Sequence, residues 1–483
     1  MLFNSYVFVL LFFPLCLLGY FGLNHFKKYS LAQAYLLGMS MWFYGYFNPG
    51  YLLIIIFSIV VNYGFYLLIE KFRGRKIDKV IMITGVLVNV GILVYFKYMD
   101  FFISNVNALF KTDFNLLHIL LPLGISFFTF QQISFIVDAY RGEIPEYNFL
   151  HYASFVSYFP QLIAGPIVTH DELVPQFLDE SKKKFNPDNF AQGLYMFTFG
   201  LAKKVLLADT FGDVVTYGFT TIDNVGAISA LMVMLSYTIQ IYFDFSGYCD
   251  MAIGIGKMMN IDLPLNFNSP YKALTITEFW ERWHTTLTRF FTKYVYIPLG
   301  GSRKGLARTC INTMIVFLIS GFWHGASWNF IFWGFIHGVF MVITRVFKKF
   351  FEKLHPAFNW LITFSFVNVA WVFFRAENFG QAMKILRALF SWNFNFDPLF
   401  TQMFRLAELK KVLSVFNVED RYPQFLCVAF FLVAFVLLLG CENAYEKMKK
   451  FKPTVWNFLI TIFLFVWCVF SFAGISEFLY FNF

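Results

Sequence analysis

The sequence predicts an all-α, polytopic membrane protein on three observations. Its 483 residues are 58% hydrophobic and 14% charged, with 70 phenylalanines, which is no composition for a soluble globular chain. Apolar runs of span length recur from end to end. About 20 such residues, rising 1.5 Å each, cross roughly 30 Å of hydrocarbon, and about 10–12 runs can be placed. The net charge of +9 is gathered in loops, where it suits anionic headgroups on the cytoplasmic face and implies no nucleic-acid partner.

In order, a first span runs from Tyr6 to Leu23 and ends at Lys27-Lys28; a second, Leu31 to Phe47, turns through Asn48-Pro49-Gly50 into a third. The first segment has no basic residue before it and reads as a retained anchor. The next loop, Glu70 to Lys79, is again basic. Two spans separate these clusters, so both face the cytoplasm and the N-terminus lies outside. A fourth span, Val80 to Phe96, leads to a Tyr98–Phe114 loop, and a fifth runs from Leu117 to Val137. Phe149 to Val168 is apolar but interrupted by Pro160, Gly165 and Pro166, which predicts a broken or re-entrant helix. Thr169 to Asn189 is polar enough for a surface. Spans resume at Phe190–Leu207 and Ala227–Phe243, the latter running into Asp244 and Asp250, two acids read as scaffold that could pair with Arg or accept from a helix terminus.

Thr275 to Tyr296 reads as one amphipathic helix, with Trp280, His284, Leu287 and Phe291 on one face. It either lies on the headgroups or carries His284 into a site. The centre of the chain is Ser320 to Phe330, where His324 stands among Gly321, Trp323, Gly325, Trp328 and Asn329. From Thr309 to Phe347 the acidic and basic side chains are His324, His337 and Arg345 alone, so His324 is far from bulk water. It is either a satisfied structural donor or a catalyst, and an ionisable group at membrane depth is commonly kept for function. Gly321 and Gly325 bare one face for close backbone approach. On a continuous helix, His337 would sit about 20 Å and 220° away from His324, a helix-end or packing residue. Later spans are Trp360–Phe374, Phe425–Gly440 and Trp456–Phe472, with a polar connector from Arg375 to Tyr422. Six scattered cysteines, without a Cys-x-x-Cys pair, imply neither disulfides nor a metal site. With no repeat and no soluble segment, residues 1–483 read as a single integral-membrane domain.

Five blocks carry a resemblance: Phe159 to Ile167, Tyr242 to Tyr248, Phe279 to His284, Tyr296 to Arg303 and Trp323 to Trp328. In that order they resemble the signature blocks of the membrane-bound O-acyltransferase (MBOAT) family. They are most similar to its bacterial branch, that of the membrane subunit of alginate O-acetyltransferase and its peptidoglycan-acetylating and teichoic-acid D-alanylating relatives. The resemblance implies the MBOAT fold with a central funnel and a multi-pass protein of the bacterial cytoplasmic membrane. It implies an acetyl group taken from cytoplasmic acetyl-CoA and delivered outward for O-acetylation of an exported or cell-wall polysaccharide, as in alginate biosynthesis. It makes His324 the catalytic histidine and His284 its companion. Trp323, Trp280, Trp283, Arg282 and Asn329 in the same blocks become substrate-binding candidates. The tail, Phe478 to Phe483, resembles an aromatic motif whose tyrosine, here Tyr480, is a transient acyl carrier; as a bare sequence it reads equally as an interfacial anchor.

Acetyl transfer from a thioester to a hydroxyl needs a base near neutrality, which imidazole supplies. No Gly-x-Ser-x-Gly elbow or phosphate loop is present. No tightly bound cofactor or metal is expected, only acetyl-CoA as donor. With no large outward segment to hold a polymer, an extracytoplasmic SGNH-type partner is expected from the family. A transporter or flippase of a lipid-linked glycan is the alternative, favoured by broken helices and disfavoured by the missing inverted repeat. Acylation of a lipid or protein is a third reading.

Overall fold

The computed structural model describes residues 1–404, 423–474 and 478–479; Tyr480 and part of the Arg375–Tyr422 connector lie outside them. Among the described residues the chain is helical throughout, and eight helices are long and apolar enough to cross a membrane. The chain divides into two compact units, the first Met1–Phe197 with Met251–Pro264, the second Thr198–Asp250 with Leu265–Phe483.

The first unit begins with α1 (Phe8–His25), α2 (Tyr29–Gly45), α3 (Gly50–Lys71) and α4 (Lys76–Phe110). At 35 residues, α4 is far longer than a bilayer core requires. It absorbs most of the loop expected from Tyr98, because neither proline nor glycine stops it before Lys111 turns left-handed at φ 54°. Conversely α5 (Ile125–Arg141) starts eight residues later than the span expected from Leu117, since Pro122 and the left-handed Gly124 hold the chain off the helix. The expected break after Phe149 is present as α6 (Phe149–Ser157) and α7 (Phe159–Leu162), fully interior around Pro160. Then α8 (His170–Leu178) buries His170, Leu173, Val174 and Phe177, so the polar Thr169–Asn189 stretch is only partly at a surface. Helix α9 (Pro187–Ala202) follows.

Polar side chains inside this unit meet one another. Asn62 donates to Asn89 at 3.1 Å, Gln132 to Ser58 at 2.9 Å and Tyr152 to Gln132 at 3.1 Å. Such pairing is what a buried amide needs. Phenylalanine fills the rest: Phe8, Phe12, Phe43 and Phe159 form one interlocked cluster.

In the second unit a π-helical turn, Lys203–Ala208, leads to α10 (Asp209–Thr220). Helix α11 (Ala227–Met258) runs 32 residues and carries Asp244 and Asp250 inside a helix rather than beyond its end. The helix expected from Thr275 to Tyr296 is broken in two, α12 (Ile276–Arg282) and α13 (Thr285–Phe291), with His284 left-handed at φ 47° between them. The reason is local pairing. Asn268 N–H donates to the Arg282 carbonyl at 2.9 Å and Thr285 N–H to the Asn266 carbonyl at 3.0 Å, which pins the chain out of helix on both sides of His284.

Next, α14 (Gly305–His324) and α15 (Trp328–Val346) form a hairpin, since Gly325 and Ser327 are extended. The helix is therefore not continuous past His324, and His337 folds back beside it. Glycine sets the closeness: a Cβ on Gly334 would stand 2.3 Å from the Phe317 carbonyl oxygen, and one on Gly321 2.4 Å from that of Phe330. After α16 (Pro356–Arg375) and α17 (Phe379–Leu389) come α18 (Pro423–Gly440), α19 (Ala444–Lys449) and α20 (Val455–Phe470). With α2 and α5 at 17 residues and α9 and α20 at 16, four helices just short of a full span account for the higher number anticipated. We expect Gly334→Val to force the hairpin apart and destabilise the protein by about 1–3 kcal/mol. Thermal unfolding in detergent checks this, and an unchanged midpoint would mean the helices can shift freely.

Candidate active site

His324 is the last residue of α14, and the turn that follows leaves it at the tip of the hairpin. It is 3% exposed. Three aromatic rings wall it edge to face: Trp323 at 4.8 Å, Trp333 at 5.1 Å and Phe374 at 5.2 Å between centroids. Each comes from a different helix, so three helices fix one imidazole.

His284 arrives from the break between α12 and α13. It is 1% exposed, packs against Phe245 of α11 at 4.9 Å and lies 6.2 Å from Trp323. Trp323 therefore touches both histidines of the expected pair. His284 Nδ1 is 3.1 Å from Asn266 Oδ1. The same oxygen accepts from the Thr286 N–H at 3.3 Å and hydroxyl at 3.0 Å, so it is an acceptor and the imidazole must carry its proton on Nδ1. The lone pair is then on Nε2. Burial pushes the His284 pKa from 6.5 to about 3, because charging the ring without water is costly.

His337 is fully buried and accepts from Trp280 Nε1 at 3.3 Å. Its ring meets Trp333 at 4.8 Å, the indole that His324 meets at 5.1 Å; the separation expected of a continuous helix does not apply, because the hairpin brings both to one indole. Its packing role holds, since it fixes Trp280. Trp283 is buried between Phe267, Phe279 and Trp371. Arg282 is bonded to Glu278 at 2.8 Å and to the Asn268 carbonyl at 3.1 Å. Asn329 donates to the Ala376 carbonyl at 2.8 Å, tying α15 to the end of α16.

A second polar cluster was only half visible in the sequence. Lys204 Nζ lies 2.6 Å from Asp244 and 2.9 Å from Asp209, and Lys203 Nζ 2.5 Å from Asp250. The π turn lets two consecutive lysines reach one neighbouring helix, α11, where an α-helix would separate them by about 100°. The other Asp244 oxygen accepts from the Leu479 N–H at 2.9 Å, and Lys204 stands over the Phe478 ring at 4.7 Å. The tail is thus anchored one residue before Tyr480, which itself lies outside the described residues. Asn266, Trp333 and Lys204 carried no motif that would have singled them out.

A sequence model of the membrane-bound O-acyltransferase family matches residues 139–380, the interval that contains both histidines. The chain belongs to the membrane-bound O-acyltransferase family. It is 42% identical to the peptidoglycan O-acetyltransferase of Helicobacter pylori over 100% of this chain and 98% of the relative. It is 38% identical to the probable alginate O-acetylase AlgI of Pseudomonas aeruginosa over 89% of this chain and 81% of the relative. Against the teichoic acid D-alanyltransferase of Bacillus subtilis the figures are 27%, 53% and 69%. The protein is a multi-pass membrane acyltransferase, an enzyme rather than the transporter weighed as the alternative.

In the unfolded chain His284 binds a proton below 6.5, whereas in the fold it does so only near 3. Its contribution to stability is present above pH 6.5 and is lost as pH falls toward 3. Unfolding midpoints should therefore drop between pH 6.5 and 4, with a shallower drop in His284→Gln; parallel pH profiles would contradict the burial argument. Removing the Asp244 carboxylate leaves Lys204 with Asp209 alone, and should cost about 1–3 kcal/mol and release the tail. Carboxypeptidase should then trim Asp244→Ala faster than wild type, and equal trimming would place the anchor elsewhere.

Proposed function

We propose that this protein takes an acetyl group from cytoplasmic acetyl-CoA and passes it across the cytoplasmic membrane for O-acetylation of peptidoglycan. The single observation that carries the acceptor is the end-to-end 42% identity with a relative named for that activity. Alginate is the second reading, supported by the 38% relatives named for it. The N-terminus faces outward, a reading supported by the basic loops at Lys27-Lys28 and Glu70 to Lys79.

In this reading His324 is the general base. Its neutral imidazole takes the proton of the acceptor hydroxyl as that oxygen bonds to the thioester carbonyl carbon. The tetrahedral adduct collapses by breaking the C–S bond, and the leaving thiolate takes the proton back from the imidazolium. Burial holds the His284 imidazole neutral. With its lone pair fixed on Nε2 by Asn266, it orients a donor group. The indoles of Trp323, Trp280 and Trp283 exclude water, which favours transfer over hydrolysis, while Arg282 and Asn329 brace the backbone around substrate. Tyr480 is the first acceptor hydroxyl, delivered by the anchored tail, and an SGNH-type extracytoplasmic partner moves acetyl from it to the glycan.

Complementation tests the acceptor. In a bacterium lacking its own peptidoglycan O-acetyltransferase, the gene with its cognate partner should restore base-releasable acetate on purified wall, while an alginate producer lacking its own O-acetylase should regain none on alginate. Acetate on alginate alone would reverse that order, and acetate on neither polymer would sink the acetyl assignment.

A further inference from the structure

Away from the histidines, the second unit encloses a cavity of about 390 Å³, a size typical of ligand sites. Its shaft is apolar, walled by Phe199 and Leu206 on one side and by Phe430, Val433, Leu437 and Trp467 of α18 and α20 on the other. One end is polar, formed by Ser269, Asn443 and Lys447. None of the helices involved closes it completely. Helix α18 is itself a candidate span whose residues are mostly exposed, so the open side faces hydrocarbon in the membrane. An apolar void beside a lipid phase fills with something apolar, and the polar end selects what that is.

The charges at that end are uneven. Lys203 is neutralised by Asp250, and Glu442 by Lys450. Lys447 stands at the rim, 5.8 Å from the Phe199 ring centroid. It lies in the α18–α20 connector, Cys441 to Thr454, which carries four lysines, Lys447, Lys449, Lys450 and Lys452, against two glutamates. Lys449 and Lys452 are exposed. Lysines directly after a span mark the cytoplasmic interface, where anionic headgroups concentrate.

We propose that this cavity binds an anionic diacyl phospholipid, with one acyl chain in the shaft between α18, α20 and the π turn and the headgroup phosphate at Lys447. The proposal rests on the lining of the cavity and not on the acetyl-transfer reading. A bound chain would pack against the π turn whose Lys203 and Lys204 hold α11, so the lipid acts as a structural ligand of the second unit.

The test uses the full chain, extracted in mild detergent, exchanged with dioleoylphosphatidylglycerol or dioleoylphosphatidylcholine and weighed by native mass spectrometry. Wild type should retain one phosphatidylglycerol with a preference of about tenfold over phosphatidylcholine. Lys447→Gln should bring the two lipids level while leaving a chain bound. Val433→Trp and, independently, Ala429→Trp fill the shaft and should abolish retention of both lipids, with monodisperse elution showing that each variant is folded. Equal retention of the two lipids by wild type would overturn the headgroup assignment. Retention of phosphatidylglycerol at the wild-type level in both folded tryptophan variants would overturn the site.

Discussion

An imidazole held out of water has to stay neutral and has to be aimed, and the second unit is arranged around that requirement. His324 is aimed by packing: Trp323, Trp333 and Phe374 meet it edge to face from α14, α15 and α16, leaving little rotational freedom. His284 is aimed by hydrogen bonding, with Asn266 and Thr286 fixing both its tautomer and its plane. The left-handed backbone at His284 is the strain accepted to bring the ring inward, of the order of 1–3 kcal/mol. Two histidines a family motif treats as a pair are thus held by different physics.

The buried lysines obey the same rule with opposite means. An ammonium cannot be made neutral by aromatic walls, so Lys203 and Lys204 each take a carboxylate from α11, and Lys204 a second from Asp209. Such clusters seldom add net stability, but they tolerate no missing member. That intolerance suits a device that must register the chain. Asp244 places its second oxygen on the Leu479 amide, so one carboxylate both pairs with Lys204 and holds the tail. The apolar cavity of this unit is lined by Lys203, Leu206 and Leu207 of the same π turn.

Much of this was legible in the sequence. Composition and apolar run length give a helical membrane protein, and Pro160 with Gly165 and Pro166 gives the broken pair at α6 and α7. The isolation of His324 among glycines and tryptophans singles it out as a candidate by residue pattern alone. What failed did so because helix periodicity is blind to long-range pairing. His284 looked like one residue on an amphipathic face, but Asn266 and Asn268, some sixteen residues earlier in the chain, take the backbone bonds that a helix would need. The sequence allowed two spans or one broken pair around His324 and set His337 apart only on a continuous helix; extended Gly325 and Ser327 make the hairpin. Asn266 and Lys204 were invisible because their partners are distant in sequence and neither belongs to a motif. The tail position Tyr480 was legible from resemblance alone, and the structure reaches as far as its neighbour Leu479.

The central claim is that His324 is the base that moves the proton during acetyl transfer, and single-turnover kinetics address it most directly. Purified protein in nanodiscs would be mixed with labelled acetyl-CoA and the transfer or release of acetyl followed in wild type and His324→Ala. The account predicts turnover by wild type and a fall of about 10²- to 10⁴-fold in the variant, with its unfolding midpoint preserved. Turnover by folded His324→Ala at the wild-type rate would contradict it.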